Sequence, residues 1–315
     1  MLNRRQLRIK ILQSLYAYFQ SENENYNAGL KELMHSISKM YDMYIYYFLV
    51  YKELAKYAES KIEETKNRKF SKVYEEELSR NFIDNPFIQL LSNNPSLLKA
   101  AEKLKINWDG DVEQDVIKKL FNYLIKTDTY NEIMTLKSND FEAHKTLFIK
   151  LFKKEICNYH LIHNFFEEKS IYWTDDIDHV CSMIIKSMKA INTANAHSFA
   201  VLPLWKDDEE EFTNKLFQNT IKLKSDNDLL LKDYTKNWDQ DRLAKMDMIL
   251  MNMAINEARE FPTIPVKVTL NEYIEISKFY STPKSNGFIN GILDNIFENL
   301  KKDGQIVKTG RGLIE

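Results

Sequence analysis

Residues 3–20 read NRRQLRIKILQSLYAYFQ. Leu7, Ile11, Leu15 and Tyr18 recur at the three- and four-residue spacing that turns one face of an α-helix into a core. Asn3 is a good N-cap, and Gln6 three residues later completes a weak capping box, so the spacing predicts a helix from Arg4 to about Gln20. Its polar face carries Arg4, Arg5, Arg8 and Lys10, with no Asp or Glu among residues 1–20. Arg4 and Arg8 stand i,i+4 and Arg5 and Arg8 i,i+3, so their guanidinium groups share one side of the helix. They also lie at the positive end of the helix dipole, where cations are disfavoured. The repulsion is only a few tenths of a kcal/mol per pair, roughly, but it has the wrong sign for stability. Either distant carboxylates neutralise these arginines or a bound polyanion does, and both readings stay open at this point.

The same periodicity continues outward along the chain. A second helix is expected from about Ala28 to Glu64, with a stripe of Leu33, Ile37, Met40, Tyr44, Tyr47 or Phe48, Tyr51 and Leu54. A Met and Tyr stripe of this kind reads as core rather than as a cofactor box. Residues 65–139 are less regular but mostly helical, with breaks at Asn85-Pro86, Asn94-Pro95 and Asp109-Gly110. Residues 140–170 and 175–192 each make an apolar-periodic helix, and another is expected near 209–222. Toward the end, Asn237 or Asp239 can cap a helix whose inner face is Leu243, Met246, Leu250, Met253 and Ala254, stopped by Phe261-Pro262 to Pro265. Thr269 with Glu272 forms a capping box that opens the next helix. A final helix carries Phe288, Ile289, Ile292, Leu293 and Ile296, where Gly287 and Gly291 would permit close backbone packing. The tail after Asp303 is Gly-rich and basic and is expected to be mobile.

Composition supports this reading. In 315 residues, seven Gly and six Pro leave few turns for a sandwich or barrel, while seventeen Tyr and eighteen Phe supply large core side chains. An all-α fold is expected. A net charge of -2 argues against indiscriminate nucleic-acid binding over the whole surface but not against a local basic patch. The acidic clusters Glu75 to Glu77 and Asp207 to Glu211 read as solvated helix ends or loops. Cys157 and Cys181 are expected to be free thiols in a reducing compartment. Arg4, Arg5, Arg8 and Lys10 are not followed by a small-residue cleavage site, and the apolar stretch Met43 to Tyr51 is too short to cross a bilayer, so a cytoplasmic protein with no membrane association is expected.

Motifs of enzyme chemistry are absent: no Gly-rich phosphate loop, no nucleophile elbow, no paired-Cys zinc spacing. His160 and His163 lie near Cys157, but no further ligand completes a metal set, and surface or core histidines are the simpler reading. No catalytic residue, cofactor or metal is expected.

Arg4-Arg5-Gln6-Leu7-Arg8, with Leu15-Tyr16 on the same helix, resembles the amino-terminal signature of the NusB family. A longer match follows in order: Asn237-Trp238, Arg242-Leu243, Asp247, Glu257, Pro265, Val268, Asn271-Glu272 and the phrase FINGILD at Phe288 to Asp294. The resemblance covers residues 1–20 and roughly 237–298, and residues 65–139 and 190–230 look like insertions in a family of shorter chains. It implies a NusB-like bundle of two packed helical subdomains: 1–64, an insertion at 65–139, 140–300 with the insertion 190–230, and a flexible tail at 301–315.

The resemblance also implies a transcription antitermination factor without enzymatic activity. Such a factor would bind single-stranded boxA-type RNA of ribosomal RNA transcripts together with NusE, a small-subunit ribosomal protein, in the antitermination complex with RNA polymerase. On the matching positions, Arg4, Arg5 and Arg8 would contact phosphates or bases, and Ser285, Asn286 and Phe288 would help from the start of the last helix. Lys284 stands where shorter relatives can carry an acidic residue and would favour RNA. Tyr16 and Asp247 would hold NusE. Stacking on an aromatic ring is a common way to read a single strand, which suits Phe288, although a core side chain is equally open. The arginine run is interrupted by Gln6 and Leu7, so affinity for RNA alone should be modest, salt-dependent and helped by the partner. Two alternative readings are a domain related to ribosomal RNA cytosine methyltransferases and a helical interaction scaffold without RNA binding. The first would need a Gly-rich methyl-donor turn and catalytic cysteines, which the remaining residues lack. The large insertions give the second some weight.

Overall fold

The computed structural model describes residues 2–21, 25–67, 79–138, 140–235 and 244–313. Asn237, Trp238, Asp239, Arg242, Leu243 and the cluster Glu75 to Glu77 lie outside the described residues. Among the described residues the regular structure is entirely helical, as expected from the composition. The chain divides into two units, one formed by Ser38–Leu204 and the other by Leu2–Ile37 with Trp205–Glu315.

The first unit is organised by α2 (Tyr26–Lys66), most of which belongs to it. The Met and Tyr stripe is core, with Met40, Tyr44, Tyr47, Phe48, Tyr51 and Leu54 all fully buried. Around it lie α3 (Pro86–Ser92), α4 (Pro95–Leu104), α5 (Asp111–Leu124), α6 (Asp128–Thr135), α7 (Phe141–Leu151), α8 (His160–Lys169) and α9 (Ile177–Ala190). The two Asn-Pro breaks are helix starts. Asn85 accepts from Phe87 N at 3.0 Å and Asn94 from Leu97 N at 2.8 Å, with proline in the first turn where its missing N–H costs nothing. Around Tyr47 the rings meet tilted or edge-on, Phe166 at 4.9 Å and Phe152 at 5.6 Å.

Residues 140–170 are two helices rather than one, because a π-helical turn at Phe152–Ile156 re-aims the chain before α8. Beyond that turn Cys157 comes within 6.1 Å, Cα to Cα, of Cys181 on α9, and the two form a disulfide. This corrects the expectation of free thiols: the pairing depends on the widened turn, which the apolar periodicity does not signal. His163 donates from Nε2 to Cys157 O at 2.6 Å.

The second unit contains α1 (Arg4–Gln20), the first turns of α2, α10 (Glu209–Lys222), α11 (Lys224–Tyr234), α12 (Lys245–Glu260), α13 (Val266–Tyr280) and α14 (Ser285–Lys302). Helix α12 is central, touching α1, α10, α11, α13 and α14, and its residues from Ile249 through Ala258 are buried on every side. Asn252, Asn256 and Glu257 are included in that run, so the middle of this unit is partly polar. Gly29 lets the start of α2 approach α1, since a Cβ there would sit 2.7 Å from the Tyr18 ring.

Three local expectations change. Helix α13 begins at Val266 behind Pro265, so Thr269 and Glu272 lie inside the helix and their side chains point to other partners instead of closing a capping box. Gly287 and Gly291 meet nothing within 4 Å and mediate no close packing. The tail is packed rather than loose: Ile306 is buried, and Thr309 N donates to Pro262 O at 3.0 Å.

Candidate nucleic-acid interface

Helix α1 forms as its sequence dictates, with the Asn3 side chain accepting from Gln6 N at 3.0 Å. Leu7, Ile11, Leu12 and Leu15 are fully buried. That packing fixes where the three arginines emerge, and each meets a carboxylate from a distant part of the chain. Arg4 grips Asp208 with both carboxylate oxygens at 2.7 and 2.8 Å and lies over the Phe212 ring at 4.8 Å. Arg5 grips Glu272 at 2.6 and 2.9 Å. Arg8 grips Glu257 at 2.7 Å through two nitrogens and reaches Glu272 at 3.4 Å. Distant carboxylates therefore neutralise the helix.

The three pairs differ in depth. Side-chain exposure is 30% and 57% for Arg4 and Asp208, and 47% and 18% for Arg5 and Glu272, but 3% and 0% for Arg8 and Glu257. The Glu257 carboxylate also accepts from Thr269 Oγ1 at 2.9 Å and from the Tyr273 hydroxyl at 3.0 Å, so its oxygens are fully engaged. Burial alone would lower the Arg8 pKa, but the Glu257 charge and hydrogen bonds more than reverse this and raise it. Burial, with Glu257 beside it, pushes Tyr273 well above the usual tyrosine range. The hydrogen bond to Glu272 raises Arg5. Arg4, Arg5 and Arg8 all border an open cleft of about 980 Å³ with Asp207, Asp208, Ile264, Glu272 and Arg311, but Arg8 is buried at its floor while Arg4 and Arg5 stand on its exposed wall.

The second expected RNA segment lies elsewhere in the same unit. Asp247 is buried and accepts from Ser285 Oγ at 2.7 Å and from Ser281 Oγ at 2.5 Å, which ties the start of α14 to the start of α12. Ser285 is itself buried, so its hydroxyl is spent on this tie. Lys284 is exposed, and Asn286 and Phe288 are half-buried. Asp247 and Glu257 are ten residues apart on α12, which sets the arginine cleft and the Lys284 to Phe288 turn about 15 Å apart along that axis.

Of the two residues expected to hold a partner, Tyr16 is 39% exposed and lines a separate cleft of about 480 Å³ between α1, α11 and α12. Asp247 is beneath the α13–α14 turn and not on that cleft. Sequence reading missed Asp208, Glu257 and Glu272 as arginine partners, although a helix bearing four cations and no anion predicts carboxylates somewhere. It also missed Arg311, whose place depends on how the tail packs.

The fold and the cleft define an all-helical protein whose arginine-bearing first helix is locked into a bundle around a buried ion pair. The NusB family model matches residues 192–298. The chain is 40% identical over 119 residues to the transcription antitermination protein NusB of Salinibacter ruber, covering 38% of this chain and 74% of that one. It is 40% identical over 106 residues to that of Chloroherpeton thalassium, with 34% and 50% covered. With that of Listeria monocytogenes the identity is 36% over 97 residues, covering 31% and 76%. The chain belongs to the NusB family. No solved structure matches it. Among the described residues no helix is long and apolar enough to cross a membrane.

Proposed function

We propose that this chain is a transcription antitermination factor that binds single-stranded, boxA-type RNA of ribosomal RNA transcripts in the cytoplasm, together with NusE and RNA polymerase. Membership in a family whose relatives are named transcription antitermination proteins carries this reading. No catalytic step is assigned.

The depth of the three ion pairs supports a division of labour among the arginines. An exposed pair is worth about 0–1 kcal/mol, so a phosphate can replace Asp208 on Arg4 or Glu272 on Arg5 at little cost. Breaking a buried pair costs about 3–5 kcal/mol, more than one phosphate contact returns in water, so Arg8 stays with Glu257 and holds α1 in place from beneath. Lys284 adds a phosphate contact, and Asn286 and Phe288 supply polar and stacking contacts at the far end of α12. Asp247 and Ser285 set the pitch of that segment. Tyr16 offers its ring to NusE on the separate α1–α11–α12 cleft.

The test is boxA RNA binding by the full chain with NusE present. Replacing Arg4 and Arg5 with Ala should weaken binding at least tenfold and flatten its salt dependence, at about 0.7 in log–log slope per lost phosphate contact. Unchanged affinity and slope would overturn the RNA role of α1.

A further inference from the structure

We propose that Arg311, from the carboxy-terminal tail, is a phosphate-binding residue of the arginine cleft. The proposal rests on the RNA reading above. Arg311 lines the same open cleft as Arg4 and Arg5 although it comes from the opposite end of the chain. It lies beyond residues 192–298, the stretch that the family model matches.

The tail is built to deliver it there. Gln305 N and Ile306 N both donate to Leu300 O, at 2.9 and 3.2 Å, which folds the chain back at the end of α14. Lys308 then caps the end of α12, donating from Nζ to Ala258 O at 2.7 Å and to Phe261 O at 3.0 Å. Thr309 N bonds Pro262 O, and Gly312 passes so close to that same carbonyl that a Cβ would sit 1.9 Å from it. Between those two fixed points the short turn Gly310–Leu313 leaves the Arg311 side chain exposed toward the cleft. The anchoring is through backbone groups and the half-buried Lys308 side chain, so the arginine is held in place without being used as an anchor.

The charges of the cleft show why this arginine matters. Arg4, Arg5 and Arg8 each have a carboxylate in bidentate contact. Asp207 is 3.8 Å from Lys206 Nζ, and the Glu209 carboxylate accepts from Lys206 N at 2.8 Å. Among the described residues Arg311 has no ion pair or side-chain hydrogen bond. Where Arg4 and Arg5 must exchange a carboxylate for a phosphate, Arg311 gains one outright. A planar guanidinium at an open rim suits the non-bridging oxygens of a phosphodiester.

The experiment measures binding of a fluorescent single-stranded boxA RNA to the full chain with NusE, across a salt series. Arg311→Gln should weaken binding about three- to tenfold, lower the log–log salt slope by about 0.7 and leave the melting temperature unchanged, with Arg311→Lys recovering part of the loss. Gly312→Ala, which pushes the strap off Pro262 without removing a charge, should reproduce the loss. If Arg311→Gln binds as the unaltered chain does while Arg4→Ala/Arg5→Ala is weakened, Arg311 is a bystander and the RNA reading stands. If neither variant changes binding, the RNA reading itself fails and this proposal with it.

Discussion

Tyr47 and Glu257 are both fully buried on the long central helix of their unit, and the two are treated differently by their surroundings. Tyr47 is packed by rings, and among the described residues its hydroxyl has no hydrogen-bond partner. Burial raises its pKa, so it stays protonated and neutral. Glu257 pairs with Arg8 and also takes hydrogen bonds from Thr269 and Tyr273. Around Tyr47 the first unit is packed by aromatic rings without a polar partner. The second is held in part by a saturated polar cluster, which fixes direction and register. The arginines proposed to meet RNA are on the second kind of scaffold, one helical turn from its buried ion pair.

Substitutions at these two positions should pull apart in sign. Glu257→Gln leaves Arg8 buried without its counter-charge and should cost about 3–5 kcal/mol in chemical denaturation. A loss below about 1 kcal/mol would mean that the pair is not structural. Tyr47→Phe removes a hydroxyl that gains nothing in the folded state, and should be neutral or stabilise by about 1–2 kcal/mol. A clear loss there would show that the hydroxyl has a partner and would erase the contrast.

The smallest effect concerns the tail. Partial burial against α12, with Lys301 nearby, pulls Lys308 down to about 8 from its ordinary 10.5, while the Glu257 charge works in the other direction. The folded state thus holds fewer protons than the unfolded state between about pH 8 and 10.5, and tail docking should become more favourable as pH rises through that window. Amide hydrogen exchange at Thr309 and Gly312, corrected for the intrinsic pH dependence, should show protection increasing from pH 8 to 10. Protection that falls over that range would contradict the assignment. Lys308→Met should remove the pH dependence.

Much of the fold was legible because it is written in helical period. The α2 stripe, the Asn3 cap and the proline stop after α12 all follow from local spacing. What escaped is what depends on distant parts of the chain. Nothing near Cys157 announces the π-helical turn that brings it to Cys181. Thr269 and Glu272 have the spacing of a capping box, yet Glu257 and the arginines of α1 compete for their side chains and the helix starts one turn earlier. The Gly-rich tail looked mobile because its stabilising contacts are backbone bonds to Leu300 and Pro262 and one lysine, Lys308, reaching the Ala258 and Phe261 carbonyls, none of which an apolar period reports. Of the candidate site, the arginines were visible as a charge imbalance, but their division into one buried and two exposed pairs was not.

That division is the central claim, and a direct comparison of two double variants tests it. Arg4→Ala/Arg5→Ala should melt near the unaltered chain and lose boxA RNA binding at least tenfold. Arg8→Met/Glu257→Leu replaces the buried pair with apolar groups but leaves the Thr269 and Tyr273 hydroxyls without their acceptor. It should therefore cost about 1–3 kcal/mol of stability and still keep RNA affinity within about twofold under conditions where it is folded. The reverse outcome, with affinity lost in the buried-pair variant and kept in the exposed-pair variant, would contradict the account.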